Sequence, residues 1–316
     1  MEQNKFLMIE RYLSSMNYTI PTTQIVDLTN TINKWISLNN CGGIVYGNSR
    51  VGKTRAIHYI TKNLREVYGS LLPVYTYCAT EHRPTEKNFY SSMLDAIGHD
   101  EPFRGTAEKM KFRLIARLLE DARKSKYGRV IMFIDEAYLL DPKDYLWLID
   151  IHNRLANEDV IFTVILFGTY ELKHQKTQFK RTGKNQIIFR FMNSEVEFKG
   201  ITSLKEMQMC LLYMDEPFKI KGSKDPINLF ELYFPQAYKD GLMLSGLAAD
   251  LWQAFENINK KYNINQDDIL MKHFMDVVYY CLKECGAPGK QIYAPMIEDW
   301  EEIIKAIGYV DCYTEE

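Results

Sequence analysis

Apolar residues fall along this chain in strand-like and helix-like runs. Ile44, Val45 and Tyr46 form a short apolar strand, followed by a tight loop bounded by Gly47 and Gly52 and by a helix opening at Lys53 and Thr54. Alternation in LLPVYTYCAT predicts a second strand ending near Thr80. The unbroken β-branched and aromatic run Val130–Ile134 predicts a strand buried on both faces of a parallel sheet. A further run, VIFTVILFG, ends at Gly168 and Thr169.

Helical spacing marks the segments between. Ile25, Leu28, Ile32, Trp35 and Ile36 repeat at that spacing after Pro21, Thr22 and Thr23, which supply a helix start. Either this helix only covers the core, or the arm before it also touches a bound adenine. A helix over residues 85–97 follows Pro84. Another, over residues 106–124, carries Phe112, Leu114, Ile115, Leu118 and Leu119 along one side. Past Thr202 only helices are expected, from SLKEMQMCLLYMDEPF through the spacing of Leu247, Leu251 and Phe255 to that of Phe274, Val277, Val278 and Cys281, with KIKGSKDP as a polar loop. The expected fold class is α/β, a parallel sheet flanked by helices and followed by a helical region. Its segments are an arm and helix at 1–40, a core at 41–202, helices at 203–285 and a C-terminal segment at 286–316. That last segment opens on Gly/Pro breaks and reads equally as a packed terminal helix or a short helix with a free tail.

The loop after the first strand spells G-x-x-x-x-G-K-[ST], a P-loop. Such a loop turns its backbone N–H groups inward around phosphate oxygens, and the helix N-terminus adds unsatisfied donors and partial positive charge. The nucleotide contacts expected are therefore Gly47, Asn48, Ser49, Arg50, Val51, Gly52, Lys53, Thr54 and Arg55, with ATP as the ligand. Lys53 reaches the β- and γ-phosphates, and the Thr54 hydroxyl ligates Mg²⁺. Asp135 and Glu136 end the Val130–Ile134 strand, where Asp135 holds the same ion and Glu136 polarises a water for attack on the γ-phosphate. Thr169 is placed to sense that phosphate, or simply begins a turn.

Composition narrows the partners. Lys and Arg number 39 against 41 Asp and Glu, a net charge of −2, so nucleic-acid binding requires a local basic patch. Arg83, Lys87, Arg104 and Lys109 fall in loops or at helix ends near the carboxyl side of the sheet, where open α/β sheets bind ligands, and are either the candidate DNA contacts or a solvated surface. Lys173, Lys176, Lys180, Arg181 and Lys184 make the densest basic segment, either a phosphate-binding surface or a solvated helix face. Six cysteines without a C-x-x-C pair read as reduced thiols of a cytoplasmic protein. The N-terminus MEQNKFLMIERYL is charged and there is no long apolar run, so neither a secretion signal nor a membrane span is expected.

The order GNSRVGKT, a strand ending in IDEAYLL, LFGTYEL, then QIIFRFM followed by an apolar strand, together with RPTEKNFYSSMLDAIG, resembles the AAA+ ATPases of transposition, the TnsC and TniB type and, more distantly, MuB. The resemblance runs from about Thr22 to Lys283 and includes LMLSGLAADLWQAFENI, similar to the lid helix of such proteins. It implies an AAA+ core with a helical lid and an ATP-hydrolysing oligomer, ring or filament, assembled on duplex DNA without sequence preference. It also implies transposase subunits and a TniQ/TnsD-like target selector as partners. Arg190, before the final core strand, is the residue the resemblance implies for the arginine that reaches a neighbour's site, with Arg181 as its rival. No lid arginine matches: the lid helix starts with Ser245, Gly246 and Leu247. Two other classes use the same cradle, an ExeA-like or signalling P-loop ATPase that does not act on DNA, and a small-molecule kinase. Glu136 after Asp135 favours water as the nucleophile.

Overall fold

The computed structural model describes residues 19–218, 226–286 and 294–314; the N-terminal arm up to residue 18 and the polar loop at 219–225 lie outside the described residues. Contacts divide the chain into two units, one over Ile25–Phe198 and one formed by Lys199–Glu316 with the residues up to Gln24.

The first unit is built on a parallel sheet of β1 (Gly42–Tyr46), β2 (Val74–Cys78), β3 (Arg129–Asp135), β4 (Ile161–Gly168) and β5 (Ser194–Glu197), in the order β2-β3-β4-β1-β5. Its helices are α1 (Thr23–Ser37), α2 (Lys53–Tyr68), α3 (Glu86–Ala96), α4 (Ala107–Lys124), α5 (Pro142–Ala156), α6 (Tyr170–Arg181) and α7 (Asn185–Phe191). Every residue of β1 and β3 is buried, as a strand with helices on both faces requires. The α/β reading of the sequence therefore holds. Local signals set the helix ends: Thr85 and Thr106 cap α3 and α4 by accepting from Asn88 N and Lys109 N, and Asp141 with Asp144 forms a capping box around Pro142 at the start of α5. Arg129, buried at the start of β3, donates from Nη1 to Ile36 O at 2.5 Å and from Nη2 to Asn39 Oδ1, closing the C-terminus of α1.

Two details differ from the sequence reading. Phe112 is 75% exposed rather than part of the buried side of α4, because the stripe that packs is Met110, Leu114, Leu118 and Ala122 at four-residue intervals, and Phe112 lies two positions round from it. QIIFRFM is the helix α7, with Ile187, Ile188 and Phe191 buried, and the strand after it is the polar SEVE of β5, a sheet edge, not an apolar strand.

The second unit is helical: α8 (Leu204–Asp215), α9 (Leu229–Tyr233), α10 (Pro235–Lys239), a 3₁₀ turn at Leu244–Leu247, α11 (Ala248–Lys261), α12 (Met271–Glu284) and α13 (Ile297–Ala306). Its core joins Met207 and Leu211 of α8 with Leu251 and Phe255 of α11, Phe274 and Val277 of α12, and Trp300 and Ile304 of α13. The C-terminal helix is thus packed, and Tyr309 beyond it is buried and donates to Asn259 Oδ1 at 2.8 Å. Two buried carboxylates tie the backbone together. Asp268 accepts from Gly200 N at 2.5 Å beside the Ile201–Ile269 bridge. Asp215 accepts from Leu244 N at 2.8 Å and Ser245 N at 2.9 Å, satisfying the donors that open the turn leading into α11.

Asp215 supplies the test of this arrangement. Asp215→Ala leaves two N–H groups without acceptors and is expected to cost about 2–4 kcal/mol. Urea unfolding followed by fluorescence of Trp252 and Trp300, both in this unit, reads the loss as a lower midpoint. An unchanged midpoint would show that water satisfies these donors.

Candidate active site

β1 delivers the chain to Gly47, whose N–H donates to Gly168 O at 3.2 Å and prolongs the β1–β4 ladder by one step. A Cβ at Gly47 would lie 2.0 Å from Phe198 O, so only glycine lets the loop leave the sheet here. The loop then turns through Arg50 at φ 64° and Gly52 at φ 103° before α2 begins at Lys53. No side chain caps α2. Its first N–H groups are left to face the loop, which is the condition for an anion to bind there.

Lys53 is 6% exposed, and its Nζ donates to Gly47 O at 3.2 Å and Asn48 O at 2.7 Å. Burial lowers its pKa, against the raising influence of Glu136 and Asp135. The ammonium is thus folded onto the loop's own carbonyls, which satisfy its hydrogens without neutralising its charge. A phosphate group would supply the missing countercharge.

At the tip of β3, Asp135 is buried and accepts from Thr54 Oγ1 at 2.6 Å through one oxygen and from Glu136 N at 3.0 Å through the other. One hydroxyl and one carboxylate, with Thr54 open to solvent, suit Mg²⁺, which keeps most of its shell for water and phosphate oxygens. Among the described residues no cluster of three or more His, Cys, Asp or Glu could hold a metal.

Glu136 has φ 53° and ψ 37°, a left-handed backbone that a glutamate adopts only at a cost. Its Oε2 is buried without a hydrogen-bond partner. Burial, and then the charge of Asp135, raises its pKa, while Lys53 and a hydrogen bond from Tyr138 oppose the rise. A carboxylate with a raised pKa is a better proton acceptor at neutral pH than an ordinary one. Sequence reading passed over Tyr138; its signal was the spacing D-E-A-Y, which the 3₁₀ turn Ala137–Leu139 folds back toward Glu136.

Thr169 directly follows β4, the strand lying between β3 and β1, and so stands between the Asp135 tip and the P-loop strand. Its Oγ1 is buried and unpartnered and does not cap α6. Arg55, in the first turn of α2, likewise has a buried Nη1 without a partner, and burial lowers its pKa. Buried polar atoms of native proteins are seldom left unpaired. Glu136, Thr169 and Arg55 carry such atoms on three elements at or next to one loop.

The remaining candidates lie elsewhere. Arg190 is in the last turn of α7, before β5 begins, at the edge of the sheet opposite to the P-loop, where its Nη2 donates to Asn153 Oδ1 at 3.0 Å. Five residues of strand span about 16 Å, so Arg190 does not serve the pocket of its own chain. Arg181 is exposed in the last turn of α6. Arg83 and Lys87 are exposed between β2 and the first turn of α3, while Arg104 and Lys109 line an open groove along α4 that Arg83 and Lys87 do not reach. Arg104 is paired with Glu101 at 2.6 Å, and Arg113 holds that loop through the carbonyls of Glu101 (2.8 Å) and Arg104. In the dense basic segment, Lys173 donates to Tyr46 Oη at 3.2 Å and Lys176 pairs with Glu195 at 2.5 Å, so part of that charge serves to fasten α6 to the sheet.

Residues 40–175 match the family model of the AAA domain, a stretch that holds the P-loop, Asp135, Glu136 and Thr169 and stops short of Arg190. No curated protein matches the chain. Among solved structures it is similar to the ORC2 protein of Aeropyrum pernix in its ADPNP–ADP complexes, at 13% identity over 97% of this chain and 73% of that one, with a TM-score of 0.56. It is also similar to Cdc6p from Pyrobaculum aerophilum, at 16% identity over 94% of this chain and 71% of that one, with a TM-score of 0.54. Likeness at these identities establishes the fold, and that fold is AAA+.

The backbone of Glu136 gives a test that needs no ligand. Glu136→Gly removes the left-handed strain and the unpaired Oε2, and is expected to raise stability by about 1 kcal/mol despite the entropy of glycine. Denaturant unfolding of the nucleotide-free protein, followed through Trp147 of α5, measures it. A destabilised Glu136→Gly protein would mean the backbone is not strained there.

Proposed function

We propose that this chain is a magnesium-dependent ATPase that assembles as an oligomer on duplex DNA and there controls the access of a transposase to its target. The observation that carries the ATPase reading is the 2.6 Å hydrogen bond between Thr54 and Asp135, which brings the P-loop helix to the acidic tip of β3 with Glu136 beside it. The shared fold adds to it, since the Aeropyrum pernix protein holds ADPNP and ADP. The DNA and transposition part rests on the motif order from GNSRVGKT to QIIFRFM and on the resemblance it carries.

Each residue then has a task. The loop Gly47–Gly52 and the N-terminus of α2 wrap the phosphates, and Lys53 exchanges its carbonyl partners at Gly47 and Asn48 for phosphate oxygens. Thr54 and Asp135 would hold Mg²⁺, which would supply positive charge against the phosphates. Glu136 takes a proton from the attacking water at its unpaired oxygen, and Thr169 offers its unpaired hydroxyl toward the γ-phosphate. Arg190, out of reach of its own pocket, serves that of a neighbouring copy, so hydrolysis requires assembly. A chain of net charge −2 binds DNA only when patches carrying Arg83, Lys87, Arg104 and Lys109 line up in the oligomer. A transposase and a TniQ/TnsD-like selector would dock on that assembly.

The pocket is tested by two substitutions that separate binding from chemistry. Lys53→Ala is expected to abolish nucleotide binding, read with a fluorescent ATP analogue. Glu136→Gln is expected to bind normally but hydrolyse more slowly by a factor of ~10²–10⁴. Normal turnover by Glu136→Gln would take the general-base role from it.

Assembly is tested by mixing Arg190→Ala with Lys53→Ala protein in the presence of DNA and ATP. Each is inactive alone, and partial hydrolysis in the mixture shows one copy's arginine acting in another's pocket. Normal hydrolysis by Arg190→Ala alone would shift the role to Arg181. DNA binding is expected to require ATP and to weaken steeply with salt. Tight, salt-insensitive binding by the nucleotide-free protein, or none under any condition, would count against the DNA reading.

A further inference from the structure

The edge of the sheet opposite to the P-loop carries a pair of groups that hydrolysis does not use. Cys41, half-buried and immediately before β1, has its Sγ 3.3 Å from His152 Nε2 on α5. His152 Nδ1 is buried, and the next residue, Asn153, accepts from Arg190 Nη2 at 3.0 Å. Burial, and then the charge of Arg190, lowers the pKa of His152, against a smaller opposing influence of Asn153. The imidazole is therefore neutral near pH 7. In the tautomer that carries its proton on Nδ1, Nε2 accepts the thiol hydrogen.

Cys210 and Cys281 are buried, the first pushed up to about 12 by burial and the second also raised. Cys78 is exposed, but burial of its sulfur and the charges of Asp135 and Glu136 raise its pKa. Cys285, lowered by a hydrogen bond from Cys281, is the rival, and it has no imidazole or guanidinium beside it among the contacts described. A thiol hydrogen-bonded to a proton acceptor is an environment in which cysteines become nucleophilic.

We propose that Cys41 and His152 form an activated thiol site that takes a small anionic disulfide by thiol–disulfide exchange. His152 Nε2 accepts the Sγ proton, and the Cys41 sulfur attacks one sulfur of the disulfide R–S–S–R. The new Cys41–S–S–R bond forms as the old S–S bond breaks, and the departing R–S⁻ collects the proton from His152. The disulfide is the oxidant; it is reduced to one thiol as Cys41 is oxidised. Arg190 gives the charge that draws an acidic disulfide to this corner. The adduct has to occupy space beside His152 and Asn153, and so it displaces the hydrogen bond that orients Arg190. That last consequence alone rests on the role proposed above for Arg190.

The test uses the full chain with oxidised glutathione, quenched at intervals and mapped by peptide mass. Cys41 is expected to gain glutathione before Cys78, Cys285 and Cys312. His152→Gln is expected to slow Cys41 alone by about tenfold or more, the contribution of a lost proton acceptor. Unchanged rates at Cys78 and Cys312 in that variant show that its fold is intact. Reaction at Cys41 no faster than at Cys312, or undiminished in His152→Gln, overturns the site. These rates need no nucleotide, so they stand apart from the ATPase reading. In the second arm, hydrolysis on DNA is expected to fall as Cys41 is modified, to return with dithiothreitol, and to be insensitive in Cys41→Ser. Full hydrolysis by the Cys41-modified protein overturns the link to Arg190.

Discussion

The hydrogen bond from Thr54 to Asp135 spans 81 positions of sequence and holds the site together. It exists because β1 and β3 are parallel and one strand apart, with β4 between them, so that all three end at the same edge. Whatever leaves those tips converges: the P-loop from β1, the acidic pair from β3 and Thr169 from β4. The apolar sequences of the three strands fix this, since each must be buried on both faces and only helices packed on either side allow it. A sheet built for burial thereby also aligns the polar groups.

Convergence has a cost that the rest of the unit offsets. Lys53 is buried with only carbonyl partners, Glu136 is in a left-handed conformation beside a second acid, and Thr169 leaves its hydroxyl unpaired. None of these would survive in a loosely packed region. They persist because β1 and β3 are buried along their whole length and because caps at Thr85, Thr106 and Asp141 fix the flanking helices. Groups held ready for a phosphate, an ion and a water are under-satisfied when those are absent.

The charges outside the site follow a different rule. Several basic residues of α4 and the loop before it have acidic partners, as Arg104 has Glu101, Lys111 has Asp150 and Arg123 has Glu158. Exposed pairs of this kind contribute little to stability and are readily exchanged for phosphate. The buried carboxylates of the second unit, Asp215 and Asp268, accept from backbone N–H groups. Their role is to close the backbone.

The sequence by itself determined what depends on neighbouring residues. The P-loop, the acids at the end of an apolar strand, the caps and most helix positions are spacings of a few residues, and local geometry turns each into one structure. What only the tertiary structure decided is which distant segments meet. Phe112 has the composition of a core residue, but the face of α4 that packs is chosen by its neighbours. QIIFRFM is too short for its period to separate helix from strand, and burial of Ile187, Ile188 and Phe191 settles it as helix. Arg190 could be placed before the last strand from sequence, but its position at the far edge follows from β5 running parallel to β1. Cys41 and His152 are 111 positions apart, and no periodicity links them; the sheet and α5 bring them within 3.3 Å. Spacing is encoded in the chain, whereas proximity comes from the order in which the strands pack.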